Sequence, residues 1–236
     1  YQRYDVFSND ASLLVPTTAA GVAGSIYSVI GWPQLIARTG DPQTDAPVDL
    51  PALLTIVGTE ENTIVTVETT ADIIGSPNVP ANVPATLAGS ALQMVLGPFD
   101  VLNLESDGFL QDFSGSKVSS DKPVLVFSGN ECTDVPEYSS LFTRQCCCDH
   151  LEEQLFPLQT FGKAFVAVQS PLRTVALSEA GSNITPQPTE PEYWRLLTSV
   201  EDTTCTTTLP VPLNEIMLRV GRPYPIEATR DFVIEC

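Results

Sequence analysis

The sequence predicts an all-β fold made of tandem antiparallel-sheet repeats, and two observations predict it. The 236 residues include 20 prolines and 14 glycines, and the runs between them are short and rich in Val, Ile, Thr, Leu and Phe, as in strands joined by turns. The second half of the chain also repeats motifs of the first half in the same order. Propeller blades are slightly favoured over β-sandwich modules, because an apolar strand, an acidic turn and a Thr/Val strand recur at intervals.

The individual strands follow from the apolar runs in chain order. The clearest predicted hairpin joins residues 53–58 to residues 63–69 through the polar turn of residues 59–62. Prolines lie at the ends of the runs, since proline cannot donate a ladder hydrogen bond inside a strand. Only residues 149–155 predict a helix, of about two turns. The other predicted strands are residues 24–30, 92–96, 99–104, 122–129, 163–169, 215–220 and 232–235.

Three collinear blocks carry the internal repeat. They predict a first β-repeat at residues 1–140, which opens within the pattern, and a truncated second repeat at residues 141–236, or one continuous domain. On this pattern the chain resembles a window cut from a longer array. The aligned pairs are Pro16 with Pro157, Gly24 with Gly162, Tyr27 with Phe165, Pro33 with Pro171, Glu60 with Glu201, Thr63 with Thr204, Pro98 with Pro223 and Phe99 with Tyr224.

Charge and hydropathy argue against two classes of partner. The chain carries 29 acidic and 11 basic residues, a formal net charge of -18, so a nucleic acid, which is densely negative, would be repelled. Anionic membrane surfaces are disfavoured for the same reason. No apolar run approaches the ~18 residues that a spanning helix needs, so we expect no membrane insertion within this chain.

The cysteines predict disulfides in an oxidising, extracellular compartment. Their number is even, and the chain has only three lysines and abundant Thr, Ser and Pro, a combination that favours secretion. Cys132 is expected to bridge to one cysteine of residues 146–148. Cys205 is expected to point inward from a strand, with Cys236 as its natural partner and Cys147 or Cys148 as alternatives. The six candidates are Cys132, Cys146, Cys147, Cys148, Cys205 and Cys236.

Metal binding and catalysis are both disfavoured by the spacing of the reactive groups. Three thiolates and His150, the only histidine, could form a zinc site, but zinc ligands usually come as CxxC pairs and adjacent cysteines point apart. No GxSxG motif is present, and a Cys/His pair would need a reduced cysteine with a lowered pKa. We expect His150 and Glu153 to hydrogen-bond neighbouring backbone and fasten the short helix to the sheet. No catalytic, cofactor-binding or metal-binding residue is therefore predicted.

Two acidic turns and one sequon are the remaining candidate sites. Residues 59–62 and 200–203 offer clustered oxygens that could bind calcium, but neither turn has the DxDxDG spacing of a calcium loop. Solvated turns are therefore the expectation. Asn183 begins an Asn-Ile-Thr sequon, which has meaning only in a eukaryotic secretory source.

Two neighbouring segments resemble a known family. The segments SSDKPVLVFSGNEC and CDHLEEQLFPLQTFGKAFV are similar to the N-terminal domain of the IgG-Fc-binding proteins, a family found in an animal mucus protein and in bacterial surface and secreted proteins. The likeness covers residues 1–170 well and the remainder weakly. Phe156, Phe161 and the additional cysteines 146 and 147 depart from the pattern. The matching residues that we expect to be structural are Asp121, Lys122, Pro123, Asp149, His150, Glu153 and Gln154.

The resemblance implies a non-enzymatic, secreted or cell-surface β-module used in adhesion or in the extracellular matrix, with a loop disulfide from Cys132 to Cys148. Immunoglobulin binding belongs to the animal member, and no residue of this chain can be singled out as its contact. We expect a module that binds a protein or glycan partner without a cofactor. A second hypothesis is a subunit of an extracellular filament or sheath that self-associates by strand addition. A third is a metal-dependent enzyme centred on His150 and the cysteine cluster.

Overall fold

The computed structural model describes residues 12–17, 24–38, 47–76, 82–138 and 148–236. The chain divides into two compact units, Tyr1–Phe161 and Gly162–Cys236, called unit 1 and unit 2 below. The division along the chain falls after Phe161, whereas the repeat alignment predicts a boundary after residue 140. Residues 149–154 belong to unit 1 because they form a strand that pairs with the strand at residues 124–133.

Strands dominate both units, as the sequence predicts. The described strands of unit 1 are β1 (Ile26–Ser28), β2 (Leu35–Arg38), β3 (Pro47–Leu50), β4 (Ala52–Gly58), β5 (Thr63–Glu68), β6 (Ala91–Leu96), β7 (Val101–Glu105), β8 (Lys117–Ser120), β9 (Val124–Thr133) and β10 (Asp149–Gln154), followed by a short 3-10 helix (Leu158–Thr160). Those of unit 2 are β11 (Ala164–Ala167), β12 (Glu192–Leu196), β13 (Thr203–Thr207), β14 (Glu215–Leu218), β15 (Tyr224–Ala228) and β16 (Phe232–Glu235), with a helix α1 (Arg173–Glu179) after β11.

Unit 1 contains two four-stranded antiparallel sheets, in the orders β1-β8-β5-β6 and β10-β9-β4-β7, and the pair β2-β3. Neither four-stranded sheet closes on itself within the described residues. The predicted hairpin of residues 53–58 and 63–69 is wrong. Both runs are strands, but β4 pairs with β7 and β9, while β5 pairs with β6 and β8. The acidic turn therefore carries the chain from one sheet to the other.

Alternating burial explains why β4 and β5 lie in different sheets. Leu54 and Ile56 of β4 and Val65 and Val67 of β5 are all fully buried, and they belong to one hydrophobic cluster. A strand with period-2 alternation buries one face, and each such Leu or Ile side chain contributes about 1.5–3 kcal/mol when it leaves water. Pairing β4 with β5 in one sheet would not bring the two apolar rows face to face.

Tyr27 ties the two sheets of unit 1 together. It lies in β1, is buried, and donates a hydrogen bond from its hydroxyl to the carbonyl oxygen of Val124 in β9, at 2.8 Å. Burial raises the pKa of Tyr27 to about 12, because the phenolate would lose its hydration. The hydroxyl therefore stays protonated and keeps its role as a donor at neutral pH.

Unit 2 repeats the strand order of unit 1. Its four-stranded sheet has the order β11-β16-β13-β14, and β12 pairs with β15. We match β11 to β1, and β12–β16 to β4–β8 in chain order. The order β11-β16-β13-β14 then corresponds to β1-β8-β5-β6, and the pair β12-β15 corresponds to the pair β4-β7. The sequence alignment agrees, since Tyr27 lies in β1 and Phe165 in β11. In unit 1, β4 has a second neighbour, β9, whereas among the described strands β12 pairs with β15 alone.

Unit 2 has its own hydrophobic core. Cys205 is 0% exposed and packs with Ile216 and Phe232, and the ring of Trp194 meets that of Phe232 edge to face with centroids 6.0 Å apart. Such aromatic pairs add roughly 0.5–1.5 kcal/mol to the burial of their area. The core therefore depends on side chains from both the four-stranded sheet and the β12-β15 pair.

The helix predicted at residues 149–155 is wrong, because these residues form β10. The local composition Asp-His-Leu-Glu-Glu-Gln favours a helix, but β9 offers a free edge and pairs with β10 from Leu151 opposite Asn130 to Gln154 opposite Phe127. Tertiary pairing of this kind routinely overrides a weak local propensity. His150 and Glu153 consequently do not lie one helical turn apart.

Glu190 caps the one α-helix of the described chain. Its side chain is largely buried, with 8% of the residue exposed, and it accepts hydrogen bonds from the backbone N–H groups of Arg173 and Thr174 at 3.1 and 2.7 Å. The hydroxyl of Thr174 and the guanidinium of Arg173 donate two more. Leu172, at the N-cap position, makes no side-chain cap. The Glu190 carboxylate therefore accepts the hydrogen bonds from the first N–H groups of α1 that a Ser or Asp side chain at the N-cap position ordinarily accepts.

Replacing Glu190 with glutamine is expected to remove a pH-dependent part of the stability of unit 2. Hydrogen bonds from Thr174, first from its hydroxyl and then from its backbone, lower the pKa of Glu190 from 4.5 to about 2. Because the folded pKa is depressed, this stability is present above pH 4.5 and is lost as the pH falls towards 2. In urea unfolding across this range, the difference in the free energy of unfolding between wild type and Glu190→Gln should shrink steadily as the pH falls. Glu179→Gln, which removes the same charge from the other end of α1, is the control, and an unchanging Glu190→Gln difference would refute the capping role.

Candidate binding surface

Disulfides occupy the cysteines that the structure describes. Cys132 is bonded to Cys148, and Cys205 to Cys236. The first bond joins the end of β9 to the start of β10, and the second joins the core of unit 2 to the residue after β16. Cys146 and Cys147 lie outside the described residues. The four described sulfurs are therefore not thiolates that could ligate a metal or act as nucleophiles.

The family-motif residues Asp121, Lys122 and Pro123 fasten one turn to another. The Asp121 carboxylate accepts a hydrogen bond from the backbone N–H of Ile64 at 2.7 Å. The Lys122 ammonium donates to the carbonyl oxygen of Glu61, and the carbonyl oxygen of Pro123 accepts from the hydroxyl of Thr59. These contacts hold the turn between β8 and β9 against the acidic turn between β4 and β5. All three residues therefore make contacts between these two turns, which agrees with the expectation that they are structural.

Gly129 and Asn130 of the same motif allow the close approach of neighbouring backbone. A Cβ atom at position 129 would overlap with the carbonyl oxygen of Leu151 in β10, so the close pairing of β9 and β10 needs glycine. The Asn130 side chain, fully buried, donates to the carbonyl oxygens of Trp32 and Pro33 at 2.9 and 3.1 Å. The motif thus satisfies backbone groups that would otherwise be buried without a partner.

The second motif segment lies in β10 and holds the described residues 12–17. The side-chain amide of Gln154 accepts from the backbone N–H of Val15 at 2.6 Å and donates to the carbonyl oxygen of Val15 at 3.1 Å. Its backbone N–H donates to the hydroxyl of Ser12. Asp149 accepts from the backbone N–H of His150 at 2.9 Å, and the His150 Nε2 atom lies 3.9 Å from a Glu152 carboxylate oxygen. Glu153 is exposed at the same edge.

Replacing Gln154 with alanine is expected to release residues 12–17 from β10. The variant loses two hydrogen bonds to the partly buried backbone of Val15, each of which contributes about 0.5–1.5 kcal/mol net. The amide of Val15 should therefore exchange with solvent roughly tenfold faster or more in hydrogen exchange followed by NMR. Glu153→Ala, the exposed neighbour, is the control and should leave this exchange rate unchanged. Equal rates in Gln154→Ala and wild type would show that the side chain does not hold the segment.

Three turns of unit 1 meet at one end of its strands and form a contiguous loop surface. They are the turns of residues 59–62, 97–100 and 121–123. Gly58 and residues 97–100 are interlocked, since Gly58 donates to the carbonyl oxygen of Asp100 at 3.0 Å and accepts from the N–H of Phe99 at 2.8 Å. The Asp121–Ile64 and Lys122–Glu61 hydrogen bonds connect the third turn. We call these turns together the loop end of unit 1.

Reactive groups do not converge at any described site. Within the described residues there is no group of three or more His, Cys, Asp or Glu side chains placed to hold a metal ion. No helix of that part of the chain is long and apolar enough to cross a membrane. The sequence predicts a strand that already begins at Phe99, and Pro98 and Phe99 align the repeat, but nothing in it identifies residues 97–100 as a surface turn, whereas β7 begins only at Val101. The one available signal was a Gly-Pro-x-Asp turn between two strands.

Comparison with known proteins identifies relatives by sequence. The sequence profile of the family described as "IgGFc binding protein" matches residues 10–236. A human protein named "IgGFc-binding protein" is 35% identical over 79 residues, which cover 34% of this chain and 1% of that protein. The match therefore spans a very small part of its curated relative. No solved structure matches this chain.

Proposed function

This chain belongs to the IgGFc-binding protein family, and from that premise we propose that it is a non-enzymatic, secreted or cell-surface β-module that binds an extracellular protein. The family match over residues 10–236 and the disulfides support an extracellular role, since disulfides persist in oxidising compartments. Adhesion is the use that fits a module with a stable scaffold and an exposed loop end. The human relative is named for binding the Fc part of IgG, which makes Fc one candidate ligand among extracellular proteins.

One observation carries the binding proposal over catalysis. The groups that could have carried chemistry, Cys132, Cys148 and the charged residues of the family motif, are engaged in bonds and contacts that hold turns and strands together. A nucleophile needs a base within hydrogen-bond reach and a third group to orient it. The third hypothesis, a metal-dependent enzyme centred on His150 and the cysteine cluster, needs thiolates as ligands, and Cys132 and Cys148 of that cluster are bonded to each other. Elemental analysis that found stoichiometric zinc would favour it over our proposal.

A binding panel tests the proposed function. The folded protein, with disulfides intact, is immobilised and exposed to human IgG Fc, to a set of secreted and matrix proteins, and to a glycan array. We expect micromolar or tighter binding to at least one protein and loss of that binding after reduction and alkylation. Binding to glycans alone would move the ligand class to carbohydrate. Binding to none of these molecules would contradict the proposal.

A filament or sheath subunit is the second candidate, because β11 is an edge strand with exposed apolar side chains. It pairs with β16 on one side, and Phe165, Val166 and the following Val168 are all exposed. Exposed apolar edges are templates for strand addition. Like charges oppose self-association at a net charge of -18, so assembly by this edge should strengthen with added salt. Sedimentation velocity that finds a monomer at all salt and protein concentrations would reject this candidate.

The finer architecture of the units is also a proposal. The sequence slightly favours propeller blades over β-sandwich modules. In unit 1, side chains of both four-stranded sheets contribute to a single hydrophobic cluster, as the inner faces of the two sheets of a sandwich do. We therefore favour two packed sheets per unit. The binding role does not depend on this choice, because the loop end is defined by contacts within unit 1.

A further inference from the structure

Phe99 is exposed at a position where the backbone favours glycine. Its side chain is 83% exposed, more than any other large apolar residue that the structure describes. It follows Pro98 in a four-residue turn in which the N–H of Asp100 donates to the carbonyl oxygen of Gly97 at 3.2 Å. Phe99 has φ of 67°, so the turn has the type II pattern, whose third residue is normally glycine. A bulky side chain with positive φ is strained, and residues held in strained conformations cluster at functional sites.

The turn of residues 97–100 is rigid. The Asp100 carboxylate accepts from the N–H of Gly97 at 2.8 Å, and two backbone hydrogen bonds join Phe99 and Asp100 to Gly58. A Cβ atom at Gly58 would overlap with the carbonyl oxygen of Gly97, so the two segments are in close contact. An exposed aromatic ring on a fixed backbone loses little conformational entropy on binding, which is what a binding anchor requires.

Further apolar side chains are exposed next to this turn. Val101 comes two residues after Phe99 and is 62% exposed. Val95, which precedes the turn, is 61% exposed and lies directly opposite Ile64, which is 42% exposed, in the β5-β6 pair. Directly opposed residues on neighbouring strands share one face of the sheet. Ile64 and Val95 lie on the outward face of one sheet and Val101 on the outward face of the other, so exposed apolar side chains flank the turn on two sides.

Carboxylates surround the same turn. Glu60 and Glu61 belong to the neighbouring turn, and a Cβ atom at Gly97 would lie 3.6 Å from a Glu61 carboxylate oxygen and 3.2 Å from one of Asp100. The cation on this loop end is Lys122, whose ammonium is held by the carbonyl oxygen of Glu61. Complementary charge guides encounter and selects among partners. The partner's surface should therefore carry lysine or arginine around an apolar pocket.

Unit 2 shows that the scaffold does not need Phe99. The residue that the repeat aligns with Phe99 is Tyr224, which begins β15 and packs, partly buried, against the core of unit 2. In the connection between β14 and β15, the residue with a positive φ is a glycine, Gly221, at 67°. The acidic side chain on the adjoining turn, Asp202, is paired with a cation. It accepts a hydrogen bond from the Arg219 guanidinium at 2.5 Å and another from the N–H of Val220 at 3.0 Å. The hydrogen bond from Val220, followed by that from Arg219, lowers the pKa of Asp202. An aromatic tip with an acidic rim is thus specific to unit 1.

We propose that Phe99 is the anchor of a protein-binding surface at the loop end of unit 1, and that it inserts into an apolar pocket rimmed by lysine or arginine on the partner. This inference rests on the proposed function and adds the surface and the partner chemistry. The occupant is a protein segment with both apolar and basic side chains. Val101, two residues further along the chain, provides additional exposed apolar surface, and Glu60, Glu61 and Asp100 provide the charged rim.

A peptide selection with two variants tests the proposal. Phage displaying short random peptides are selected on the wild-type protein, and the recovered peptides are then measured on Phe99→Gly and on Val200→Ser. Val200 is 76% exposed in a turn of unit 2, which makes it a matched control. We expect recovered peptides that combine apolar residues with Lys or Arg. Their affinity should fall at least about tenfold on Phe99→Gly, as for a truncated hot-spot aromatic, and stay within about twofold on Val200→Ser.

The stability of Phe99→Gly separates binding from folding. Glycine is relaxed at positive φ, so the melting temperature of this variant should equal or exceed that of the wild type. A lower melting temperature would make Phe99 a structural residue and overturn the proposal. Recovered peptides that bind both proteins equally, or a selection that returns no peptide, would also overturn it. Binding in the extracellular panel that survives Phe99→Gly would reject this surface while leaving the proposed function intact.

Discussion

Replacing Cys236 with serine is expected to lower the free energy of unfolding of unit 2 by about 3–4 kcal/mol. The bond to Cys205 closes a loop with a sequence separation of 31 residues, and the chain-entropy relation for a loop of that length gives this value. A loss of this size is a large part of the stability of a unit with only a small core, in which Cys205 is fully buried. Urea unfolding followed by tryptophan fluorescence measures it, since Trp194 packs against this core.

The double variant Cys205→Ala with Cys236→Ser is the control for this prediction. It removes the disulfide without leaving a thiol in the core, so its unfolding free energy should also lie roughly 3–4 kcal/mol below that of the wild type. Wild-type stability in both variants would mean that the bond does not hold unit 2 together. Lower stability of the single variant than of the double variant would report the cost of the unpaired thiol.

Replacing Leu54 with alanine is expected to lower the free energy of unfolding of unit 1 by about 2–5 kcal/mol, the range found when a buried leucine is truncated and leaves a cavity. Leu54 is fully buried in the core cluster and lies on the inward face of β4. Leu53 is the matched control, because it is the same residue type one position earlier and on the opposite, half-buried face. Leu53→Ala should cost clearly less. Equal costs in urea unfolding would contradict the assigned face of β4.

Local patterns predict most strands because burial on one face leaves a mark in the sequence. The runs at β4, β5, β6, β9 and β16 alternate or cluster apolar residues as a half-buried strand must. Which strands pair with each other leaves no such pattern in the sequence. Residues 53–58 and 63–69 form adjacent strands in the chain, yet the facing apolar rows of Leu54 and Val65 require them to lie in different sheets.

Errors in the sequence-based prediction arise where a distant partner decides the conformation. The residues of β10 have a helical composition, and only the edge of β9 makes them a strand. Conversely, α1 has no capping residue of its own and begins where the distant Glu190 accepts its first N–H groups. The repeat was detectable because aligned residues such as Tyr27 and Phe165 occupy matching strands.

The family motif was visible in the sequence, but the candidate surface was not. Asp121, Lys122 and Gln154 are identified through the family resemblance, and the structure gives each of them a backbone partner. Phe99 is a single aromatic residue in an unremarkable apolar stretch. Its proposed role depends on its φ angle and its exposure. Neither can be obtained from residue order, because the third position of a type II turn, with positive φ, is normally taken by glycine and not by phenylalanine.

Cross-strand nuclear Overhauser effects in unit 2 test the central claim most directly, namely that the two units share one strand order. The account predicts contacts from β16 to both β11 and β13, between Val166 and Val233 and between Thr206 and Glu235. These contacts correspond to those of β8 with β1 and β5 in unit 1. Contacts that place β16 beside β15 would contradict the shared order, and with it the comparison of the β6-β7 turn with the β14-β15 connection.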